Sequence, residues 1–376
     1  MSVLKLWRVI SIWLFVTACI EPYNLPIIDN NSQYLVVDGF LDATNHKITV
    51  KLSRSVNLSV QDNFAPETSA SVYLETESQS KFFLDDHTKG VYEKEFFVDT
   101  SKKYRLRIQL ASGKKYSSDF IEVMQTPPID SLNFSPTPIG LQIRTYAHDP
   151  EGKTRYYYWE YEETYEYTSA YQSSYTVQNK VLLYRNEDIY HCWTSNTNTE
   201  IVLTSTKSLK EDVVSGFAIT TLPKNSVKIK RKYSILVKQM ALEQKAYEYR
   251  QLLKKNTESL GTLFDPQPSQ LTGNIYSETE NGETVLGYFM GSTVAQKRFT
   301  FGLYDLPRDY QLNRDFGACE LFIIPARDVT TINEKSNLII TGLPSPSPTP
   351  LEYYYSTTNC ADCRVQGGTT NRPPYW

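Results

Sequence analysis

Short segments in which apolar and polar residues alternate recur between residues 34 and 123. In one of them, Ile48, Val50 and Leu52 alternate with polar neighbours, which is the period of a strand with one buried and one solvent-exposed face. Polar turns separate seven such segments: Tyr34–Phe40, Lys47–Ser53, Ala70–Thr76, Lys81–Leu84, Val91–Val98, Tyr104–Leu110 and Lys115–Val123. Seven short strands in this span predict an immunoglobulin-like β-sandwich over residues 33–126.

A pair of prolines separates this pattern from a longer region that is also rich in strand-like segments. Pro127 and Pro128 disfavour regular structure, so the pair is the expected domain boundary. Further strand-like segments follow within residues 129–376, among them Leu141–Tyr146, Tyr233–Gln239 and Val285–Met290. The predicted fold class is therefore mainly β, with an N-terminal immunoglobulin-like sandwich and a larger β-rich domain.

One segment of the second region has the period of a helix. Its apolar residues fall on one stripe: Leu242, Ala246, Tyr249, Leu252, Leu253 and Leu260. Charged residues lie between them, and Gly261 follows as a helix stop. The pattern predicts one amphipathic helix, inserted among the strands, over about residues 242–260.

The N-terminus has the parts of a secretory signal. Lys5 and Arg8 precede the apolar run Val9–Val16, which is too short to span a bilayer. The run ends in Val16-Thr17-Ala18-Cys19, which resembles the lipobox of bacterial lipoproteins. We expect residues 1–18 to be a signal peptide, Cys19 to carry lipid, and residues 19–32 to form a tether. The alternative is ordinary cleavage that leaves Cys19 without a lipid.

The composition excludes some classes of binding partner and favours β-strands. The formal net charge is −3, so the chain has no basic excess for nucleic acid or for an anionic membrane surface. Twenty-eight tyrosines and an aromatic fraction of 13% suit the pleated, half-buried surface of sheets. No later stretch is long and apolar enough to cross a membrane, so the acyl chains of Cys19 are the expected attachment.

Four cysteines remain after Cys19: Cys192, Cys319, Cys360 and Cys363. Export to an oxidising compartment permits disulfides, and four cysteines allow three pairings. Cys360 and Cys363 also have the spacing of a redox or zinc motif, but they lie in a terminal tail rich in Gly, Thr and Pro. Structural disulfides are the favoured interpretation, over zinc ligands or reactive thiols. Cys192 is a plausible docking point for a tail cysteine.

An aromatic run at residues 156–167 is the most suggestive feature for binding. The candidate surface comprises Tyr157, Trp159, Tyr161, Tyr165 and Tyr167. Tyr and Trp give large contact areas at a low entropic cost, so the run is a candidate platform for a peptide, a sugar or a partner protein. The alternative is cross-strand packing inside the protein.

Several blocks of sequence, taken in order, resemble a family of Bacteroidota lipoproteins, the domain-of-unknown-function family numbered 4249 (DUF 4249). They include Leu35-Val36-Val37-Asp38-Gly39-Phe40, Pro127-Pro128-Ile129-Asp130-Ser131-Leu132, Tyr233-Ser234-Ile235-Leu236-Val237-Lys238-Gln239, Gly261-Thr262-Leu263-Phe264-Asp265-Pro266, Cys360-Ala361-Asp362-Cys363 and Pro374-Tyr375-Trp376. The resemblance implies an outer-membrane lipoprotein that helps a TonB-dependent transporter to capture a nutrient, without established catalytic residues.

The residues themselves give no sign of catalysis. The histidines His46, His87, His148 and His191 are scattered, and no phosphate loop, nucleophile elbow or His-Glu-x-x-His pair occurs. We therefore expect a non-enzymatic protein with no cofactor and no metal. A structural or adhesive envelope lipoprotein is the alternative function. Because only Glu21 is acidic just after Cys19, either face of the outer membrane is open, with exposure at the cell surface preferred.

Overall fold

The structure is a computed structural model that describes residues 34–56, 65–258, 273–280, 282–311 and 318–376. Strands dominate these ranges, so the prediction of a mainly β fold is confirmed. The predicted signal peptide, Cys19 and the tether lie outside the described residues. None of the described helices combines the length and apolar character that a membrane crossing requires.

Ten strands precede the two prolines of the predicted boundary. They are β1 (Leu35–Asp42), β2 (Lys47–Arg54), β3 (Ala65–Pro66), β4 (Ser71–Thr76), β5 (Lys81–Phe83), β6 (Asp85–Thr88), β7 (Val91–Glu95), β8 (Tyr104–Gln109), β9 (Lys115–Ser118) and β10 (Val123–Met124). The predicted alternation of buried and exposed residues is confirmed in β2. There Ile48, Val50 and Leu52 are buried, and the residues between them are at least partly exposed.

The remaining strands follow the prolines. They are β11 (Ile129–Thr137), β12 (Gly140–His148), β13 (Tyr156–Thr168), β14 (Tyr175–Gln178), β15 (Val181–Tyr184), β16 (His191–Thr197), β17 (Val202–Ser205), β18 (Val213–Leu222), β19 (Lys232–Ala241), β20 (Ile275–Ser277), β21 (Val285–Ser292), β22 (Val294–Gly302), β23 (Phe322–Pro325), β24 (Asn337–Gly342) and β25 (Glu352–Thr357). One long helix, Gln244–Glu258, lies within the predicted interval. Shorter helical segments are Val227–Ile229, Leu303–Asp305, Arg308–Gln311, Val329–Thr331, Thr358–Ala361 and Cys363–Gln366.

Two sheets share the first hydrophobic core. One has the strand order β10-β21-β1-β2-β7-β6, with β3 on β2, and the other has the order β20-β9-β8-β4-β5. Side chains from both sheets fill the space between them, among them Val37, Leu74 and Leu106. The immunoglobulin-like character of this part stays a prediction.

Two strands of these sheets come from far downstream in the chain. β21 lies parallel to β1, and β20 pairs with β9. The close approach of β21 to β1 depends on Gly287, which has φ +127°. A Cβ atom at this position would lie 1.8 Å from the carbonyl oxygen of Val37. The sequence pattern predicts both segments as part of the second region, since an alternation does not reveal which sheet a strand joins. Leu35–Trp376 form one compact unit.

A second pair of sheets shares a second core. The sheet β16-β13-β19-β22, with β17 on β13, faces the three-stranded sheet β11-β12-β18. The fully buried Trp159 donates from Nε1 to Oε1 of Gln239 at 3.0 Å, and Gln239 in turn donates to the carbonyl oxygen of Pro127 at 2.8 Å. The proline junction is therefore fixed to the middle of the second core.

The outward face of β13 is covered by different elements at its two ends. At the N-terminal end, the helix Gln244–Glu258 packs on it, with the Tyr156 and Tyr247 ring centroids 4.9 Å apart. Arg250 also stacks over the Tyr158 ring at 4.3 Å. Two small sheets, β14-β15 and β23-β25-β24, lie beyond the other end and share their own apolar cluster. They position the C-terminal tail, which we define as residues 358–376.

Candidate binding cleft

The aromatic run chosen from the sequence lies mostly in the interior. Tyr157 and Trp159 have no exposed surface, Tyr161 and Tyr167 are also buried, and Tyr165 is half-buried. The Trp159 ring stacks on Phe217 of the facing sheet at a centroid distance of 5.0 Å. These five residues therefore make the interior packing that was the alternative interpretation, and they do not form an open platform.

The same interior face of β13 contains a buried ion pair. Glu163 is 5% exposed, bonds the ammonium group of Lys228, and accepts a hydrogen bond of 2.9 Å from the Tyr233 hydroxyl. Burial, together with the Glu163 carboxylate, raises the pKa of Tyr233 well above its ordinary value. Because the buried Glu163 carboxylate is paired with the Lys228 ammonium group, we interpret this ion pair as a structural element of the core.

The four cysteines form two disulfides, so structural disulfides were the correct interpretation. Cys192 pairs with Cys363, and Cys319 pairs with Cys360. The two cysteines of the Cys-x-x-Cys motif thus bond to two different parts of the chain instead of to each other. The predicted docking of a tail cysteine at Cys192 is what the structure shows.

The disulfides hold the C-terminal tail along the edge strand β16. Thr369 and Trp193 exchange two backbone hydrogen bonds, of 2.8 and 2.9 Å, and the Tyr167 hydroxyl donates to the carbonyl oxygen of Cys363 at 3.0 Å. Gly368 passes so close to the Tyr167 hydroxyl that a Cβ there would lie 2.2 Å from it. The tail is thereby fixed to the sheet over several residues.

The last two residues of the tail lie on the outward face of β13. The Tyr375 and Thr164 hydroxyls share a hydrogen bond of 2.8 Å, and the Arg298 guanidinium stacks over the Tyr375 ring at 3.7 Å. Trp376 donates from Nε1 to Glu166 at 3.0 Å, and the Lys232 ammonium lies 4.8 Å from the centre of its ring. Both aromatic rings are thus held against cations and polar groups of the sheet β16-β13-β19-β22, which we call the central sheet.

A cleft of about 580 Å³ opens beside this pair, at the end of the central sheet. It is formed by the last residues of β13, the residues leading into β19, and the turn after β22. Its polar lining comprises Glu166, Thr168, Tyr190, Lys230, Arg231, Lys232, Thr300, Tyr304 and Asp305. Glu166 and Lys232 line the cleft and also contact Trp376, so the end of the tail lies next to the cleft.

Fixed charges and one exposed ring characterise the cleft. Arg231 donates to Glu166 at 3.0 Å, and Asp305 accepts from the backbone N–H of Gly302 at 2.7 Å. Tyr304, at the tip of the turn, is 83% exposed. A concave site with a basic wall, an exposed aromatic ring and several hydroxyls suits a polar ligand that has a flat or apolar face.

The residues described give no indication of a metal centre. No group of three or more His, Cys, Asp or Glu side chains among them is arranged to hold an ion. Three of the four histidines lie beside single carboxylates, His148 beside Asp130 at 2.7 Å, His191 beside Asp188 at 2.8 Å and His87 beside Glu93 at 3.9 Å. Hydrogen bonding to Asp130, and its charge, raise the pKa of His148.

Sequence reasoning missed the residues of the cleft. The basic segment Lys230–Lys232 had no recognisable motif, and Tyr304 looked like one more tyrosine among many. The terminal Pro374-Tyr375-Trp376 has no binding pattern of its own beyond its place in the family resemblance. Its proximity to the basic segment depends on the disulfides, which the sequence did not specify.

The sequence was compared with known proteins. The model of a family described as Domain of unknown function (DUF4249) matches residues 20–298. No curated protein matches the sequence. The matched region contains both large pairs of sheets except the end of β22. It therefore covers the part of the cleft formed by β13 and the residues leading into β19, and it leaves out the wall formed by residues 300–305 and the tail.

Proposed function

The chain belongs to the DUF4249 family, and from that premise we propose that it is a non-enzymatic lipoprotein of the outer membrane that captures a nutrient for a TonB-dependent transporter. The observation that carries the proposal is the cleft lined by Lys230, Arg231, Lys232 and Tyr304. A concave site with aromatic and cationic side chains on a rigid sheet suits reversible binding.

The rigidity of the cleft supports capture more than catalysis. Its walls stand on β13, β19 and β22, and the neighbouring tail is joined to the same sheet by the Cys192–Cys363 disulfide. A site that is fixed before the ligand arrives loses less conformational entropy on binding. The carboxylates in the cleft are already engaged, Glu166 by Arg231 and Trp376 and Asp305 by a backbone N–H.

The membrane location rests on the N-terminal sequence. A basic start, an apolar run and the four residues ending at Cys19 support lipidation of that cysteine. Several acyl chains would anchor the protein stably, since each buried CH₂ contributes about 0.8 kcal/mol. We propose exposure at the cell surface, and a protease-accessibility assay on intact cells tests it: protection of the protein would place it on the periplasmic face.

Co-purification tests the partnership with a transporter. The full-length lipoprotein, tagged at a surface loop, is extracted from outer membranes in mild detergent and isolated by affinity. We expect one large outer-membrane protein to be recovered in a fixed proportion to it. Recovery of the lipoprotein alone, from membranes in which the transporter is present, would argue against the partnership.

A substitution in the cleft tests ligand capture. We expect Tyr304→Ala to raise the nutrient concentration needed for half-maximal growth about tenfold in a strain that depends on the protein, since an exposed aromatic contact commonly contributes more than about 1 kcal/mol to binding. The control is Phe97→Ala, because Phe97 is 78% exposed and lies outside the cleft. Equal growth of both variants would show that the cleft is not used.

An exposed apolar area favours a second function, that of a structural or adhesive protein. Val181 and Tyr184 on β15 and Ile323 on β23 are each more than half exposed. Each of these strands has one pairing partner among the strands that the structure describes.

Deletion of the gene for this protein separates the two functions. A nutrient-specific growth defect supports capture, whereas altered attachment or envelope integrity supports the structural role.

A further inference from the structure

The exposed ring of Tyr304 stands on a turn that is fixed to the second core on both sides. Leu303 and Leu306 are buried in that core. The backbone N–H of Leu303 donates to the carbonyl oxygen of Arg231 at 2.6 Å, and the N–H of Leu306 donates to the carbonyl oxygen of Leu303 at 3.2 Å. The ring of Tyr304 therefore gives the cleft a flat apolar face that is already in position, which lowers the entropic cost of stacking a ligand on it.

The charged side chains that line the cleft have mixed signs. Lys230, Arg231 and Lys232 are basic, and Glu166 and Asp305 are acidic. An anionic ligand would meet two carboxylates in this lining, and a cationic ligand would meet three basic groups. Because like charges placed together are unfavourable, neither sign of ligand charge is complementary to the whole cleft. The lining favours a ligand that is polar and uncharged.

Arg231 and Asp305 have hydrogen-bonding atoms that solvent reaches and that no group among the described residues uses. Arg231 bonds Glu166 through Nε alone, so Nη1 and Nη2 are available as donors, and its side chain is 42% exposed. Asp305 is exposed and accepts from the backbone N–H of Gly302 with Oδ2, so Oδ1 is available as an acceptor. A hydroxyl group is both a donor and an acceptor, so a ligand with several hydroxyls can bond to both residues.

We propose that the ligand of this cleft is a neutral oligosaccharide, with one sugar ring stacked on Tyr304 and its hydroxyl groups bonded to Arg231 and Asp305. The inference rests on the function proposed for the cleft and specifies the class of nutrient. A sugar ring combines an apolar face of C–H groups with a rim of hydroxyls, so it matches the aromatic ring and the charged groups together. A purely apolar ligand would remove water from Arg231 and Asp305 without replacing its hydrogen bonds. The cleft volume of about 580 Å³ lies within the range for ligand sites and has room for more than one sugar ring.

Calorimetric titration of the full-length, disulfide-bonded protein in mild detergent tests the ligand class. The neutral probes are trisaccharides of glucose, mannose, galactose and xylose, in α-linked and β-linked forms. The charged probes of the same length are trigalacturonic acid, which carries carboxylates, and the glucosamine trimer, which carries ammonium groups. We expect at least one neutral trisaccharide to bind at millimolar concentration or below, and both charged probes to bind about tenfold more weakly. Absence of binding by every neutral trisaccharide, or tighter binding of a charged probe, would overturn the proposal.

Variants assign the sugar to the cleft. We expect Tyr304→Ala to weaken the best neutral trisaccharide about tenfold, because the stacking surface is lost. Arg231→Lys keeps the positive charge but loses the planar fork of donors, so it should also weaken the sugar about tenfold. Phe97→Ala is the control, because Phe97 is exposed and lies outside the cleft. Unchanged affinity in either cleft variant would contradict the proposed contacts.

Growth and titration together separate this inference from the proposed function. If Tyr304→Ala impairs growth on the nutrient but no neutral trisaccharide binds, the cleft captures another class of ligand, and only the assignment to oligosaccharides fails. If a neutral trisaccharide binds in the cleft but Tyr304→Ala leaves growth unchanged, the assignment to oligosaccharides stands, and the role of the cleft in nutrient capture fails.

Discussion

Replacing Cys192 and Cys363 together by Ser is expected to lower the free energy of unfolding by about 4 kcal/mol. The disulfide joins residues 171 positions apart, and a closed loop of that length strongly restricts the unfolded chain. Urea unfolding, monitored by circular dichroism, measures this decrease in the free energy of unfolding. The matched control is the replacement of Cys319 and Cys360, which are separated by 41 positions. The shorter loop should give a loss smaller by about 1 kcal/mol.

The same variant should also affect the cleft. Without the Cys192–Cys363 bond, the part of the tail that follows the Cys319–Cys360 disulfide keeps only its non-covalent contacts, such as the pairing of Trp193 with Thr369. Trp376 is then held less firmly against Glu166 and Lys232, and capture of the nutrient should weaken. A variant that loses stability but retains full capture would show that the tail is a structural clamp without a part in binding.

Trp159→Ala is expected to destabilise the protein by about 4 kcal/mol, the range for removing a large aromatic side chain from a core. Trp159 has no exposed surface and stacks on both Tyr157 and Phe217. The change also removes the hydrogen bond from Nε1 to Gln239 and leaves a buried acceptor with one partner fewer. Denaturant titration checks the prediction.

An exposed aromatic residue provides the comparison. Tyr304→Ala should change the stability by no more than about 0.5 kcal/mol, because the Tyr304 side chain is mostly in water. The two variants therefore separate aromatic residues that hold the core from an aromatic residue that is available to a ligand. A loss below about 1 kcal/mol for Trp159→Ala would contradict the core role assigned to the run.

The prediction of an open aromatic platform was wrong for a clear physical reason. Residues 156–167 alternate in a way that places aromatic rings on both faces of β13. A period of two tells which side chains share a face, but it does not tell what lies against that face. Here β11, β12 and β18 cover one face, and the helix and the tail cover much of the other. The open aromatic ring, Tyr304, stands on a turn that had no pattern to mark it.

The mainly β class and the long helix followed from hydrophobic periodicity, which is a local property of the sequence. The family followed from ordered blocks of residues, and the cysteine count and the expected export favoured disulfides over zinc ligands or reactive thiols. The tertiary structure decided which strands share a sheet, with β21 beside β1, and which cysteines pair. It alone brought Lys230–Lys232 and Tyr304 to one cleft and placed Trp376 against Lys232, because contacts between residues so far apart in the chain depend on packing and leave no periodic trace in the sequence.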